Sequence, residues 1–155
     1  MVGYASNKAA ADAVVGTIEG KNGKAIAVKC NVGHESDILA LFKAADGFGT
    51  LGALVNNAGI VGKSGVRVED MTAERIQEVM AVNVTGAILC AREAVKRMST
   101  RFGGEGGVIV NISSVAARLG FKIGAHFGPI VASRLGGGSH EHITAIGDTV
   151  NVASR

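Results

Sequence analysis

The chain has 155 residues, of which 47% are hydrophobic and 19% charged, with 23 glycines and a single proline. This length and composition fit one globular domain with a real core, and the chain is too short for two ordinary domains. The net charge of +3 comes from scattered lysines and arginines, and aromatic residues make up only 4%, so nucleic acid is not expected as a partner.

The cysteines and the hydropathy pattern indicate the compartment. Cys30 closes a predicted strand and Cys90 lies in a predicted helix, so both are expected to be buried free thiols, as in a reducing cytoplasm. The first residues lack the basic and apolar regions of a targeting segment. No stretch reaches the roughly 18 apolar residues of a spanning helix. The sequence therefore predicts a cytoplasmic protein that does not enter a membrane.

The first third of the chain alternates between helical and extended patterns. Residues 7–19 have apolar side chains at helical spacing, and Ser6 or Asn7 can cap this helix. Residues 24–30 favour a strand, and residues 35–45 favour a second amphipathic helix. This alternation predicts parallel βαβ units.

The stretch from Ala53 to Gly59 carries the strongest functional signal. Its apolar run at 53–55 is typical of a parallel strand covered on both faces, and the Asn-Asn-Ala-Gly at 56–59 then opens the end of the strand. Ligands of open α/β sheets bind outside the carboxyl ends of the strands. Asn and Gly are also common turn residues, so the same four residues fit a plain turn.

A long helix and another strand follow. Thr72 can cap a helix whose apolar residues recur to about Arg101, with a bend near Gly86. A glycine-rich loop ends this helix. Residues 108–114, Val-Ile-Val-Asn-Ile-Ser-Ser, then form a second buried strand with two hydroxyls at its end.

The order of these motifs resembles the short-chain dehydrogenase/reductase family. The matching features are Asn-Asn-Ala-Gly at 56–59, Asn83 in the next helix and the strand that ends in Ser-Ser, and the resemblance covers about residues 4–120. It implies an α/β fold with a partial Rossmann-like parallel sheet flanked by helices. It also implies NADP or NAD as the cofactor of hydride transfer between nicotinamide and a carbonyl or alcohol.

The resemblance also assigns site residues. The catalytic positions are Ser114, which in the family bonds the substrate oxygen, and Asn83. The remaining rim of the cofactor site is assigned to Ser6, Asn31, Val32, Asn57, Ala58 and Gly59. At Ser6 a neutral residue leaves room for a ribose phosphate, and Asn31 replaces a family aspartate that touches adenine.

Two family motifs have no counterpart in this sequence. A Tyr-x-x-x-Lys pair exchanges the proton in the family, but Tyr4 is the only tyrosine of the chain. The Gly-x-x-x-Gly-x-Gly turn, which places the pyrophosphate on a helix N-terminus, is missing as well. Ala117, where the family usually has glycine, is a minor departure. The sequence therefore predicts weak or lost cofactor binding and little or no activity. In this interpretation, Ser114 and Asn83 form hydrogen bonds within the fold and have no catalytic role.

The pattern changes after residue 120. Short extended segments at 121–129, 130–132 and 143–146, separated by glycines, predict a short C-terminal β-hairpin, and Asp148 can cap a last helix. Two motifs resemble the class III adenylate and guanylate cyclases. They are Ile-Gly-x-His-x-Gly-Pro-x-Val-Ala at 123–132 and Gly-Asp-Thr-Val-Asn-x-Ala-Ser-Arg at 147–155.

The cyclase resemblance implies nucleotide-binding roles for Thr144, Asn151 and Arg155. The two metal-binding aspartates of that family have no counterpart, so cyclisation is expected to fail. His140 and His142 have a spacing that can bind zinc, but two ligands make a weak site, and no metal is predicted. No Gly-x-Ser-x-Gly elbow is present, so a serine hydrolase is not favoured.

The whole chain is thus interpreted as a junction of two partial units. Residues 1–120 form an incomplete Rossmann-like reductase fragment, and residues 121–155 form a cyclase-like fragment packed on it rather than an independent domain. Strand edges left open by the missing first strand predict a homo-oligomer. Two alternatives to a truncated or chimeric oxidoreductase with weak nucleotide binding are a non-catalytic self-associating module and a cyclase-related nucleotide-binding fragment.

Overall fold

The computed structural model describes residues 1–61, 67–113, 131–135 and 142–146. The chain divides into two compact units, Met1–Ser113 and Ser114–Arg155. In chain order, the strands and α-helices of the first unit are β1 (Val2–Tyr4), α1 (Lys8–Glu19), β2 (Ala27–Lys29), α2 (Glu35–Phe48), β3 (Ala53–Asn56), α3 (Ala73–Met80), α4 (Ala87–Met98) and β4 (Val108–Asn111). A π-helical segment, Ala81–Gly86, joins α3 to α4, and Val68–Asp70 and Thr100–Phe102 are short 3₁₀ turns.

The strands of the first unit form two parallel pairs. β1 pairs with β2, with Gly3 opposite Val28, and β3 pairs with β4, with Asn56 opposite Asn111. Helices α1 and α4 lie against these pairs. Parallel strands connected by helices are the Rossmann-like α/β architecture, so the predicted fold class is confirmed.

Capping residues determine where two of the helices begin. Asn7, rather than Ser6, caps α1, because its Oδ1 accepts a hydrogen bond from the Ala10 N–H at 2.9 Å. Thr72 caps α3 as predicted, and its Oγ1 accepts from the Arg75 N–H at 3.3 Å. Both side chains satisfy an N–H that the first turn of a helix leaves without an intrahelical partner.

The predicted long helix from Thr72 is interrupted where a bend was expected. Residues 81–86 are π-helical, and the α-helix that follows ends at Met98 rather than near Arg101. Single-turn π segments inside helices occur frequently at functional sites. Here the π segment carries Asn83 and ends at Gly86.

The hydrophobic core lies between α2, α4 and one face of the strands. Ile38 on α2 is fully buried. It is part of a cluster of buried side chains made of Cys30, Ile38, Phe42, Cys90, Ala94 and Met98. Leu54 of β3 and Ile109 of β4 pack against this cluster, which fixes both strands on the same pair of helices.

The other face of β3 and β4 corrects the sequence interpretation. The run at 53–55 was expected to be covered on both faces, but Val55 is 57% exposed, and Val108 and Val110 of β4 are exposed as well. Side chains alternate across a strand, so Leu54 points to the core while Val55 points away from it. In the described part of the chain, this second face is uncovered.

A charged network joins α2 to α4. The Arg97 guanidinium donates to both carboxylate oxygens of Asp46, at 2.5 and 2.8 Å, and lies 5.1 Å from the centre of the Phe42 ring. Glu93 is only 4% exposed, and the hydrogen bond from Lys96 holds the pKa of its carboxyl below the usual value, with further help from Arg97. A buried carboxylate is tolerated only when paired in this way, so the network fixes how α4 lies on α2.

The described part of the second unit is an antiparallel hairpin. β5 (Val131–Leu135) pairs with β6 (His142–Ile146), with Ser133 opposite Thr144. The predicted short C-terminal hairpin is therefore confirmed. The extended segment expected at 121–129 and the last helix expected from Asp148 lie outside the described residues. None of the helices that the structure describes has the length and apolar character needed to cross a membrane.

The two cysteines are buried and free, as predicted. Burial raises the pKa of the Cys30 thiol from 9.0 to about 11, and burial also raises the pKa of Cys90. Because the thiolate is the nucleophile, we expect iodoacetamide to alkylate the folded protein far more slowly at neutral pH than the urea-unfolded protein.

The raised pKa of Cys30 also gives a direction for alkaline stability. The contribution of the buried thiol is fully present below pH 9.0 and is lost as the pH rises through about 11. The Cys30→Ala variant should therefore lose less of its unfolding free energy than the unsubstituted protein across that interval. Equal losses, or rapid alkylation of the folded protein, would contradict this prediction.

Candidate nucleotide-binding site

A cleft of 720 Å³ opens between the two strand pairs. One side consists of β1 with the loop that follows β2, and the other side consists of β3 with the turn that follows it. The loop after β2 and the turn after β3 both follow the carboxyl ends of parallel strands. Ligands of open α/β sheets bind at this end of the strands.

Five of the six residues assigned to the cofactor rim line this cleft. They are Asn31, Val32, Asn57, Ala58 and Gly59. The residues of the turn after β3 are exposed, whereas those after β2 are half-buried. Ser6, the sixth, is exposed in the turn after β1, and the cleft is lined there by Tyr4 and Ala5 instead.

Asn83 holds the turn after β3 by two hydrogen bonds. Its Oδ1 accepts from the Ile60 N–H at 2.8 Å, and its Nδ2 donates to the Ile60 carbonyl oxygen at 2.8 Å. A side-chain amide that pairs with both polar groups of one residue fixes the position and the orientation of that backbone. Asn83 thus positions the segment 57–59 from the π-helical segment and does not itself line the cleft.

The loop after β2 is shaped by its own side chains. The Asn31 Oδ1 accepts from the Gly33 N–H at 3.0 Å, and the Asn31 N–H donates to Asp37 Oδ2 at 2.9 Å. The side-chain oxygen of Asn31 is therefore used within the loop. Its Nδ2 remains as the group with which Asn31 can meet a ligand, and an amide nitrogen donates where an aspartate would accept.

A third asparagine contact was not foreseen from the sequence. The Asn56 Nδ2 donates to Asn111 Oδ1 at 3.0 Å and to the Ala87 carbonyl oxygen at 3.2 Å. It thereby joins the ends of β3 and β4 to the start of α4. The signal that could have revealed this contact is the matching position of the two asparagines, each following an apolar triplet in neighbouring parallel strands.

The other predicted site residues lie in or near the second unit. Ser114 lies outside the described residues, as do Asn151 and Arg155. Thr144 is in β6, where its backbone pairs with that of Ser133. Among the residues that the structure describes, no cluster of three His, Cys, Asp or Glu side chains could hold a metal ion.

Comparison with known proteins identifies the fold and its lineage. The family model described as short chain dehydrogenase matches residues 1–133, which is most of the chain. The chain belongs to the short-chain dehydrogenase family. The match includes residues 121–133, which the sequence interpretation assigned to the cyclase-like fragment.

Individual relatives agree with the family. The chain is 49% identical over 120 residues to the uncharacterized oxidoreductase YgfF of Escherichia coli, a match that covers 77% of this chain and 48% of that protein. It is 36% identical over 137 residues to a 3-oxoacyl-[acyl-carrier-protein] reductase of Synechocystis sp., covering 88% of this chain and 53% of that one. The chain thus spans about half the length of these curated relatives.

A solved relative shows the same fold with a cofactor. The crystal structure of a short chain dehydrogenase from Burkholderia cenocepacia in complex with NADP superposes with a TM-score of 0.66 at 32% sequence identity. The match covers 76% of this chain and 46% of that one. At this identity the likeness supports common descent as well as a common fold.

Proposed function

We propose that Asn31, Val32 and residues 57–59 form one rim of the NADP or NAD site of a short-chain oxidoreductase that acts on a carbonyl or an alcohol. The observation that carries the proposal is the Asn83 clamp on Ile60, which holds residues 57–59 at the cleft opposite Asn31 and Val32. Membership of the family and the NADP complex of a solved relative support the choice of cofactor. A cytoplasmic location is part of the same proposal.

The 155-residue chain by itself should bind the nucleotide weakly. The cleft offers amide groups and backbone to an adenosine or a ribose, but the sequence contains no glycine-rich turn that would place a pyrophosphate on a helix N-terminus. Without that contact we expect dissociation constants no tighter than roughly millimolar.

Calorimetric titration with NADP, NAD and ATP tests this proposal, with two asparagine variants for comparison. Asn83→Ala should abolish the residual nucleotide binding, because the turn at 57–59 loses both bonds that position it. Asn22→Gly changes a residue in the turn after α1 that does not line the cleft and whose φ of 61° glycine adopts readily, so it should leave nucleotide binding intact.

The outcomes of the titration separate the candidate functions. Equal binding by the two variants would mean that the Asn83 clamp does not form the nucleotide site. Binding of ATP with no response to NADP or NAD would instead favour the cyclase-related alternative. That alternative rests on the cyclase-like sequence motifs of residues 121–155 and on the hairpin within this segment. In that alternative, Thr144, Asn151 and Arg155 are the nucleotide-binding residues.

A non-catalytic self-associating module is the second candidate. The exposed apolar face of β3 and β4, with Val55, Val108 and Val110, favours it, as do the short strand edges that have no partner among the described residues. We expect sedimentation velocity to show species larger than a monomer at micromolar concentration. Val108→Lys together with Val110→Lys should shift the distribution towards the monomer, whereas a monomer at all usable concentrations of the unsubstituted protein would exclude self-association.

A further inference from the structure

The two cysteines of the chain lie in the same part of the core. Cys30 follows β2 and is 4% exposed, and Cys90 lies on α4 and is 3% exposed. Both belong to the buried cluster that also contains Ile38 and Phe42 of α2. Cys30 and Cys90 are sixty positions apart in the sequence, so it is the fold that brings them together.

The contacts between the loop after β2 and the π-helical segment follow a regular order. An ideal Cβ on Gly33 would lie 3.2 Å from a methyl carbon of Val82. An ideal Cβ on Gly86, four residues further along the helix, would lie 2.4 Å from the carbonyl oxygen of Val32. Residue numbers thus rise along the helix as they fall along the loop. The helix therefore runs antiparallel to the segment that leaves β2.

One more helical turn in this order brings Cys90 beside Cys30. Four residues of an α-helix rise about 6 Å and return the side chain to the same face. Two residues of extended chain span at most about 6.6 Å and also return to the same face. Cys90 comes four residues after Gly86, and Cys30 comes two residues before Val32, so the two steps agree in length and direction.

The electrostatics of the Cys30 thiol agree with this placement. Burial raises the pKa of Cys30 to about 11, and the neighbouring Cys90 and Asp37 raise it further. The interaction between two ionisable groups falls with the distance between them, so the effect of Cys90 on Cys30 indicates that the two thiols are close.

We propose that Cys30 and Cys90 form an intrachain disulfide on oxidation by a hydroperoxide, and that this disulfide fixes α4 on the loop after β2. A disulfide needs Cα atoms about 4.4–6.8 Å apart. The backbone contact between Gly86 and Val32, one helical turn away, brings the two segments close enough for this. The proposal does not depend on nucleotide binding.

The oxidation takes place in two steps. In the first, one cysteine thiolate attacks an oxygen of hydrogen peroxide, the O–O bond breaks, and a sulfenic acid and hydroxide result. In the second, the other sulfur attacks the sulfenic sulfur, the S–S bond forms, and a second hydroxide leaves. The two thiol protons convert the hydroxides into two water molecules, and two electrons pass from the sulfurs to the peroxide.

The surroundings of the thiols determine the conditions of the reaction. Both cysteines line the wall of the cleft, which a molecule as small as hydrogen peroxide can enter. Because the pKa of both thiols is raised, the thiolate is scarce at neutral pH. We therefore expect oxidation to be slow at pH 7 and to accelerate as the pH rises to 9.

Peptide mapping after peroxide treatment of the native protein at pH 9 detects the disulfide. The treated protein is alkylated in urea and digested with trypsin without a reductant. Trypsin releases Cys30 in the peptide 30–43 and Cys90 in the peptide 76–92. We expect a linked species with the summed mass of the two peptides less two hydrogens, and dithiothreitol should separate it into the two peptides.

An equilibrium measurement shows whether the native fold favours the disulfide, since an unfolded chain with two cysteines can also link them. The protein is equilibrated with reduced and oxidised dithiothreitol at pH 9, in buffer and in urea, and the ratio of disulfide to dithiol is measured after acid quenching. The ratio should be roughly 30-fold or more higher in the native protein, because by linkage it equals the stabilisation that the disulfide gives.

Thermal unfolding provides a third readout. The disulfide closes a loop of about sixty residues in the unfolded chain, so the melting temperature should rise by roughly 10 °C and fall back with dithiothreitol. Cys30→Ala and Cys90→Ala are the matched controls, because each keeps one thiol and cannot form the intrachain bond. Methionine oxidation occurs in these variants as well, so the difference from the unsubstituted protein reports the disulfide alone.

Three results would overturn the proposal. They are the absence of the linked peptide after peroxide treatment, a disulfide ratio no higher in the native protein than in urea, and an equal gain in melting temperature in the single-cysteine variants. The first two use the unsubstituted protein, so the decision does not rest on the folding of either variant.

Discussion

The 155-residue chain should reduce a carbonyl substrate with NADPH about 10²–10⁴-fold more slowly than a short-chain reductase with an intact Tyr-x-x-x-Lys motif, because general acid–base catalysis contributes a factor of that size. The only tyrosine, Tyr4, lies in β1, more than a hundred residues before Ser114 in the sequence. These 155 residues contain no glycine-rich phosphate turn, so their rate should be lower still, since orientation of hydride donor and acceptor is an additional large factor.

Steady-state oxidation of NADPH, followed by its absorbance, measures this expectation. A robust rate that Ser114→Ala abolished would show that a proton donor from elsewhere completes the site, and the proposal of a catalytically incomplete chain would be wrong. The Tyr4→Phe variant then identifies the donor. Loss of the rate in that variant would assign the proton to Tyr4, which lines the cleft.

The sequence was sufficient for the architecture because hydrophobic periodicity reports local structure directly. The helix over residues 35–45 and the strand over 53–55 both appear in the structure, with α2 extended to Phe48 and β3 to Asn56. Periodicity does not report what lies on each face. The apolar run at 53–55 has the same pattern whether one face or both are covered, and this is why the exposure of Val55 was missed.

The geometry of the site depends on contacts between distant residues. Asn83 and Ile60 are 23 positions apart, and the Asn83 side chain reaches both backbone polar groups of Ile60 from the π-helical segment. No local pattern in the sequence contains that information. The resemblance to the family placed Asn83 near the site but could not show that it acts on the backbone of Ile60.

The close approach of Gly86 to the loop after β2 is a second such contact. An ideal Cβ on Gly86 would lie 2.4 Å from the Val32 carbonyl oxygen and 3.1 Å from the Ala81 carbonyl oxygen. Both neighbours are backbone atoms, which cannot turn aside as a flexible side chain does. Val32 lines the cleft. Because Gly86 has no side chain, the π-helical segment can lie directly against the Val32 backbone and support this rim of the proposed nucleotide site.

Gly86→Ala should therefore destabilise the protein by about 3 kcal/mol, since a methyl group forced into packed backbone typically costs 1–3 kcal/mol or more. Gly16→Ala is the matched control, because Gly16 lies inside α1 and a Cβ there has no neighbour within 4 Å. Alanine is the better helix former, so this variant should be more stable than the unsubstituted protein by roughly 0.5–1 kcal/mol. Urea unfolding followed by circular dichroism measures both changes, and opposite signs are expected from the same substitution. If Gly86→Ala were as stable as Gly16→Ala, the close packing of the π-helical segment on Val32 would be contradicted. The π-helical segment would then not support the rim of the cleft.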